Sequence, residues 1–103
     1  MSSVDIAVKT LSQLEPEDFR VLMIIEVDMS RHRYVPEDDI LRLSGFSRKQ
    51  IKYRLDRLSK FGLIYRWAGS YIGYALSTAG YDCLAMNALV KACLLYTSDA
   101  ADE

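Results

Sequence analysis

Two helix starts lie close together in the middle of the chain, and a glycine stands between them. Pro36 followed by three acidic residues is typical of a first helical turn, because proline fits there and carboxylates suit the positive end of the helix dipole. Gly45 then occupies the position of a left-handed C-terminal cap. Ser47, with Gln50 three residues later, predicts a capping box and a second helix that runs to about Lys60. Helix, glycine turn and helix predict a helix-turn-helix.

The flanking segments complete a winged-helix pattern. Residues 4–14 carry apolar side chains at helical spacing, and Pro16 opens a helix so apolar that we expect it at the centre of the core. Residues 63–67 and 71–76 are β-prone and flank an Ala-Gly-Ser turn, which predicts a hairpin, the wing. A last helix starts just after it, at a hydroxyl-bearing cap. The predicted fold class is mainly α with a small β-hairpin, a winged helix-turn-helix.

Positive charge is concentrated in one segment of the 103-residue chain, although the formal net charge is −1. From Arg42 to Arg66, eight basic residues stand against one acidic residue, Asp56, so this segment carries a formal charge of +7. Half of the residues are apolar, which is ordinary for a globular domain with one core and no separate catalytic lobe. A near-neutral chain with its cations gathered in this way attracts polyanions on one side.

The second helix of the helix-turn-helix would present these cations to solvent. On a helical wheel Ile51, Leu55 and Leu58 share one face, which we expect to pack on the core. Cations on the opposite side could each neutralise a phosphate and release a counterion. The candidate nucleic-acid-binding residues of the helix and the wing are Arg48, Lys49, Lys52, Tyr53, Arg57, Lys60, Arg66 and Trp67. A merely solvated charged face is the alternative.

Aromatic residues of the wing have two interpretations. Arg66 and Trp67 precede the turn, and Tyr71 and Tyr74 follow it. Exposed, they would stack on unpaired bases; otherwise they are cross-strand pairs that cover the core. We expect Trp67 to be the most exposed of the four.

Other chemistry has weak support in the sequence. The chain has one histidine, His32, which we interpret as a solvated loop residue, and no nucleophile–histidine–acid set forms around it. Cys83 and Cys93 lack metal-site spacing, and Gly69 and Gly73 are interpreted as turn and bulge residues of the hairpin. We therefore predict no catalytic residue, no metal site and no cofactor site in this chain.

The sequence also predicts a cytoplasmic protein without membrane contact. No apolar run approaches the roughly 20 residues needed to cross a bilayer. The N-terminus, MSSVDIAVKT, lacks the basic start and apolar stretch of a signal peptide.

Three stretches of the sequence resemble a known family. "DFRVLMIIEVDMSRHRYVP", "YRLDRLSKFGLIYR" and "GYALSTAGYDCLAMNALVKA" look like the N-terminal winged-helix domain of RIO-family atypical serine/threonine protein kinases, second subfamily, in its archaeal form. The resemblance covers nearly all of residues 1–92, which we expect to form the domain. It implies a parent protein with an ATP- and magnesium-dependent kinase domain, whose catalytic residues this chain lacks. It also implies small-subunit precursor ribosomal RNA, or the small ribosomal subunit, as partner.

Residues 93–103, "CLLYTSDAADE", depart from this resemblance. They are similar to the translation of a transposon-end sequencing adapter, and we expect a non-native tail without function. Without its three acidic residues the chain has 13 basic and 11 acidic residues, a net charge of +2.

Three functions agree with these observations. The first is a ribosomal-RNA-binding module of a RIO-type kinase that acts in small-subunit maturation. The second is a transcription regulator that reads the DNA major groove with the same helix. The third is a protein-interaction domain whose basic helix packs on a kinase lobe or another subunit.

Overall fold

The computed structural model describes the backbone of residues 2–101 and the side chains of residues 2–93. In chain order the elements of this part are α1 (Ser3–Leu11), α2 (Pro16–Asp28), β1 (Val35–Pro36), α3 (Glu37–Ser44), α4 (Arg48–Lys60), β2 (Ile64–Ala68), β3 (Ile72–Leu76) and α5 (Thr78–Ala101). The predicted winged helix-turn-helix is confirmed. The expected non-native tail, residues 93–103, lies almost wholly outside the described side chains.

The helix-turn-helix forms where its caps predicted it. Ser47 Oγ accepts a hydrogen bond from the Gln50 backbone N–H at 3.2 Å, and Gln50 Oε1 accepts one from the Ser47 backbone N–H at 2.9 Å. Gly45 ends α3 with φ of 73°, a conformation that costs glycine little and other residues more. Gly62, with φ of 77°, follows the end of α4 at Lys60 in the same way.

The wing belongs to a sheet with the order β1-β3-β2, antiparallel throughout the described part. The sequence analysis missed β1, a two-residue strand that pairs Val35 with Tyr74. The interpretation of Gly73 as a bulge residue is wrong, because Gly73 lies in regular register opposite both Pro36 and Trp67.

Gly73 is instead required by its aromatic neighbours. A Cβ at this position would lie 2.8 Å from Tyr34 Cβ and 2.9 Å from Tyr71 Cε2. Real Cβ atoms do not approach other carbons so closely, so a larger residue would push the aromatic side chains away.

The core joins all the helices to the sheet. Ile51, Leu55 and Leu58 of α4 are buried as predicted, and they belong to the same apolar cluster as Leu22 and Ile25 of α2. Complete burial of such a side chain stabilises the fold by about 1.5–3 kcal/mol. The expectation that α2 is the central helix is correct for one side of it only, because another side remains exposed.

The start of α5 packs closely on the loop between α4 and β2. Ser77 Oγ donates a hydrogen bond to the Gly62 carbonyl at 2.6 Å and accepts one from the Gly80 backbone N–H at 3.1 Å. A Cβ at Gly80 would lie only 2.2 Å from the Leu63 carbonyl oxygen.

Further along α5, burial raises the pKa of the Cys83 thiol, while a hydrogen bond with Thr10 acts in the opposite direction.

Among the helices of the described part, none combines the length and the apolar character that a membrane span requires.

Candidate nucleic-acid interface

The side of α4 that points away from the core carries three lysines. Lys49, Lys52 and Lys60 are exposed, and no carboxylate oxygen of residues 2–93 lies within 4.0 Å of their ammonium groups. At 3.6 residues per turn they fall on one side of the helix together with Tyr53 and Asp56, both of which are also exposed. We call Lys49, Lys52, Tyr53, Asp56 and Lys60 the outer face of α4. Its one acidic residue reduces its formal charge to +2.

Two arginines of α4 turn toward α2 instead. Asp18 is fully buried, and its carboxylate lies 3.2 Å from Arg54 Nη1 and 3.2 Å from Arg57 Nε. Arg54 Nη1 also donates to Glu15 Oε1 at 2.7 Å, and Arg57 Nη2 donates to the Gln13 carbonyl. The prediction that Arg57 points toward solvent is therefore wrong. A buried carboxylate needs cationic partners, and Arg57 lies at the border between the two sides of the helix.

Asp18, the carboxylate that pairs with Arg54 and Arg57, also stabilises the start of α2. Asp18 Oδ2 accepts a hydrogen bond from the Glu15 backbone N–H at 2.9 Å, as one half of a capping box. Burial lowers the pKa of Arg54, but hydrogen bonds to Glu15 and Asp18 outweigh this effect and raise the pKa above its ordinary value. Arg54 thus stays charged. The sequence analysis did not identify Asp18 as the partner of these arginines.

A cleft of about 420 Å³ separates α4 from the wing. It is lined by Glu37, Arg48, Lys52, Asp56, Arg66, Ile72 and Tyr74. Arg48 lies 3.9 Å from Asp38 Oδ1, but both side chains are exposed, and such a pair holds its partners weakly. Burial raises the pKa of Tyr74; the charge of Glu37 acts in the same direction, and a hydrogen bond with Arg66 opposes it.

Trp67 is packed, which contradicts the expectation that it is the most exposed residue of the wing. Its ring stacks on Tyr34 with a centroid distance of 5.2 Å and meets the edge of Tyr71 at 4.9 Å. Tyr71, whose hydroxyl donates to the Tyr34 carbonyl at 2.8 Å, and Arg66 are both more exposed than Trp67. Tyr74 is buried, so it covers the core. The sequence analysis also missed Tyr65, which is 61% exposed on β2.

An apolar groove of about 730 Å³ lies elsewhere, on the exposed side of α2. It is lined by Leu14, Pro16, Phe19, Arg20, Met23, Ile24, Val27, Leu43, Asn87 and Lys91. The sequence analysis missed it, because a helix that is apolar on most sides resembles a fully buried one.

His32 is not simply solvated. Its Nε2 atom lies 3.4 Å from Asp39 Oδ2, and Asp28 is the third member of the same group of side chains. The structure thus keeps His32 as a partly exposed loop residue and adds a carboxylate neighbour that the sequence analysis did not predict.

Comparison with known proteins confirms the resemblance seen in the sequence. The family model described as "Rio2, N-terminal" matches residues 11–92. RIO-type serine/threonine-protein kinase Rio2 of Methanocaldococcus jannaschii is 49% identical over 63 residues, which cover 61% of this chain and 22% of that relative. The chain thus spans about a fifth of the length of this curated relative.

Solved structures agree with the family match. The Rio2 kinase of Chaetomium thermophilum, in its ADP/Mg²⁺-phosphoaspartate complex, superposes with a TM-score of 0.74 at 29% identity, over 81% of this chain and 25% of that chain. The MepR–DNA complex of Staphylococcus aureus superposes with a TM-score of 0.69 at 17% identity, over 91% of this chain and 70% of that chain. At this identity the likeness to MepR shows a shared fold alone.

Proposed function

Because the chain belongs to the Rio2 N-terminal family, we propose that it is the ribosomal-RNA-binding winged-helix domain of a RIO-type serine/threonine protein kinase. One observation carries this proposal: Lys49, Lys52 and Lys60 are exposed and unpaired within residues 2–93, on the second helix of a helix-turn-helix. Cations in this arrangement are available to phosphates, and each phosphate contact releases a counterion.

Side chains next to the lysines suit single-stranded or distorted RNA. Tyr53 lies among them on the outer face of α4 and is exposed. The Arg54 guanidinium lies 5.2 Å from the centre of its ring on one face, and the exposed part of the ring can stack on an unpaired base. Arg48 and Arg66 extend the positive surface across the cleft to the wing. Arg57 and Trp67 act indirectly in this proposal: the first holds α4 on α2, and the second holds the wing in place.

The remaining parts of the proposal concern the whole protein. We propose that it works in the cytoplasm in maturation of the small ribosomal subunit, with precursor ribosomal RNA as partner and ATP and magnesium as cofactors. The kinase names of the relatives and the ADP and Mg²⁺ of the Chaetomium structure support the kinase activity and its cofactors. The cytoplasmic location and the role in subunit maturation rest on the family resemblance alone. Within residues 2–93, Gly69 and Gly73 belong to the hairpin, so these two glycines are not part of a phosphate-binding loop. We propose that a kinase domain binds ATP and magnesium instead.

The decisive experiment reverses two outer-face charges and measures binding as ionic strength rises. We expect Lys49→Glu/Lys52→Glu to weaken binding to a small-subunit precursor RNA fragment in a filter-binding assay. The slope of log affinity against log salt should become shallower by about two phosphate contacts. Arg57 is left unchanged, because its replacement would deprive the buried Asp18 of a partner.

The matched control makes the same change of charge away from the interface. Lys9→Glu/Lys91→Glu alters α1 and α5 and should leave the slope unchanged. If the outer-face variant is folded and keeps the parent slope, the proposal is wrong. Competition with random and selected DNA duplexes tests the regulator alternative, since only a regulator prefers particular base sequences.

A second candidate function is contact with a kinase domain through the apolar groove. Exposed Met23, Val27 and Leu43 support it, because adjoining apolar side chains on a monomer surface are typical of interaction sites. Met23→Glu/Val27→Glu should then abolish binding of a separately purified Rio2 kinase domain and leave RNA affinity intact. Unchanged binding of that domain would rule out this groove.

A further inference from the structure

Three side chains that could ligate a metal meet between α2 and α3. Asp28 ends α2, His32 lies in the loop that follows, and Asp39 lies in the first turn of α3. One ligand atom from each, two carboxylate oxygens and an imidazole nitrogen, lie within 4.8 Å of one another. We call these three residues the Asp28 cluster.

Asp28 is the unusual member of the cluster. Its side chain is only 5% exposed, and its Oδ2 atom is buried with no hydrogen-bond partner among residues 2–93. The Oδ1 atom lies 3.9 Å from Arg31 Nε, but Arg31 is 78% exposed and its charge is screened by water. Buried carboxylate oxygens nearly always have a partner, because their desolvation is costly. The unpaired Oδ2 atom is therefore available to a cation.

The other two members already have the spacing of metal ligands. His32 Nε2 and Asp39 Oδ2 are 3.4 Å apart, and two ligands that share one tetrahedral Zn²⁺ at about 2.0 Å are separated by about 3.3 Å. The His32 backbone N–H donates to the Asp28 carbonyl at 3.1 Å, which holds the loop against the end of α2. Arg42 Nη2 lies 3.4 Å from Asp39 Oδ1 and orients that carboxylate from outside the cluster.

We propose that Asp28, His32 and Asp39 bind one divalent first-row transition-metal ion, with Zn²⁺ as the representative. Two carboxylates supply the charge that such an ion needs, and the imidazole nitrogen favours zinc and its neighbours over Mg²⁺ and Ca²⁺. Since His32 and Asp39 are partly exposed, water can complete the coordination shell. The ion would tie the loop before β1 to α3, and this loop carries Tyr34, on which Trp67 stacks. This proposal departs from the sequence-based expectation that the chain holds no metal site.

A metal-free contact of His32 with Asp39 is the competing explanation, and zinc titration separates the two. His32 is the single histidine of the sequence, so its imidazole resonances in NMR spectra report on this site alone. The full chain carries Cys93→Ser, because an exposed thiol can bind zinc by itself. At pH 7.5 we expect 1:1 binding by calorimetry and a shift of the imidazole resonances at one equivalent of Zn²⁺. Tm should rise by roughly 10 °C or more at zinc a hundredfold above Kd, and Mg²⁺ should have no effect.

Variants locate the binding. His32→Gln and Asp28→Asn should each weaken zinc affinity on the order of 100-fold or more, because each removes one of three protein ligands. Asp38→Asn is the matched control: Asp38 precedes Asp39, is 86% exposed and lies outside the cluster, so affinity should be unchanged. His32→Gln alters a partly exposed loop residue and keeps the test valid if Asp28→Asn fails to fold. The proposal would be overturned if the imidazole resonances did not shift when zinc is added, or if His32→Gln bound zinc with the same affinity as the parent protein.

Discussion

Asp18 decides what the positive charges of α4 can do. Because its carboxylate is fully buried between α2 and α4, Arg54 and Arg57 are fixed beside it, whereas the lysines of the outer face and the exposed Arg48 remain available to a ligand. Helical spacing correctly predicted the inward apolar residues of α4. It could not predict the orientation of Arg57, since Asp18 lies 39 residues away in sequence.

Removal of this carboxylate should cost more than any change on the surface. We expect Asp18→Ala to lower the free energy of unfolding by about 3 kcal/mol, because two guanidinium groups lose their buried partner and α2 loses one half of its capping box. Urea denaturation followed by circular dichroism measures this. Asp38→Ala, at an exposed site, should stay within about 0.5 kcal/mol of the parent. Equal midpoints for the two variants would contradict the assigned role of Asp18.

At the scale of elements, the sequence predicted those helices whose ends carry capping residues or glycines, and it missed a short strand that carries no such local signal. Capping residues and glycines located the starts and ends of α3 and α4, since each signal lies within a few residues of the boundary that it sets. Strand β1 has two residues, one of them proline, so it shows no alternation and forms only because β3 offers it a partner. The packing of Trp67 could not be predicted for a similar reason: its stacking partner, Tyr34, lies in a loop that is distant in the sequence.

Contact between α5 and the loop after α4 depends on a missing side chain. Gly80→Ala would bring a methyl group against the Leu63 carbonyl oxygen, a backbone atom that cannot rotate away. We expect a loss of about 2 kcal/mol from overpacking, measured as a lower Tm by differential scanning calorimetry. Gly45→Ala has open space around the new methyl group but a positive φ, so it should cost only about 1 kcal/mol. A larger loss of Tm in Gly45→Ala than in Gly80→Ala would show that the backbone around Leu63 moves easily to accommodate the new methyl group.

At the scale of the whole molecule, one core connects every element. Its buried members run from Ala7 of α1 to Leu84 of α5 and include Tyr74 of the wing. A single domain of this size with one core generally unfolds in one cooperative step.

Unfolding of the wing and of the helices should therefore coincide. Trp67 is the single tryptophan of the sequence and lies in the wing, so its fluorescence reports the hairpin, whereas far-ultraviolet circular dichroism reports the helices. We expect the two signals to give the same midpoint and m-value in urea. An earlier fluorescence transition would show that the wing separates from the core before the helices unfold.

The exposed lysines of α4 and its arginines paired with Asp18 should respond differently to the salt concentration. Dissolved ions screen charges in contact with water over about 8 Å at physiological concentration, but they act much less on a carboxylate that water does not reach. The attraction between the outer-face lysines and phosphates therefore weakens as electrolyte is added. The ion pairs of Arg54 and Arg57 with Asp18, which hold α4 on α2, persist. The proposed binding of an anionic polymer should therefore be reversed by concentrated electrolyte while the domain remains folded, and dilution should restore it.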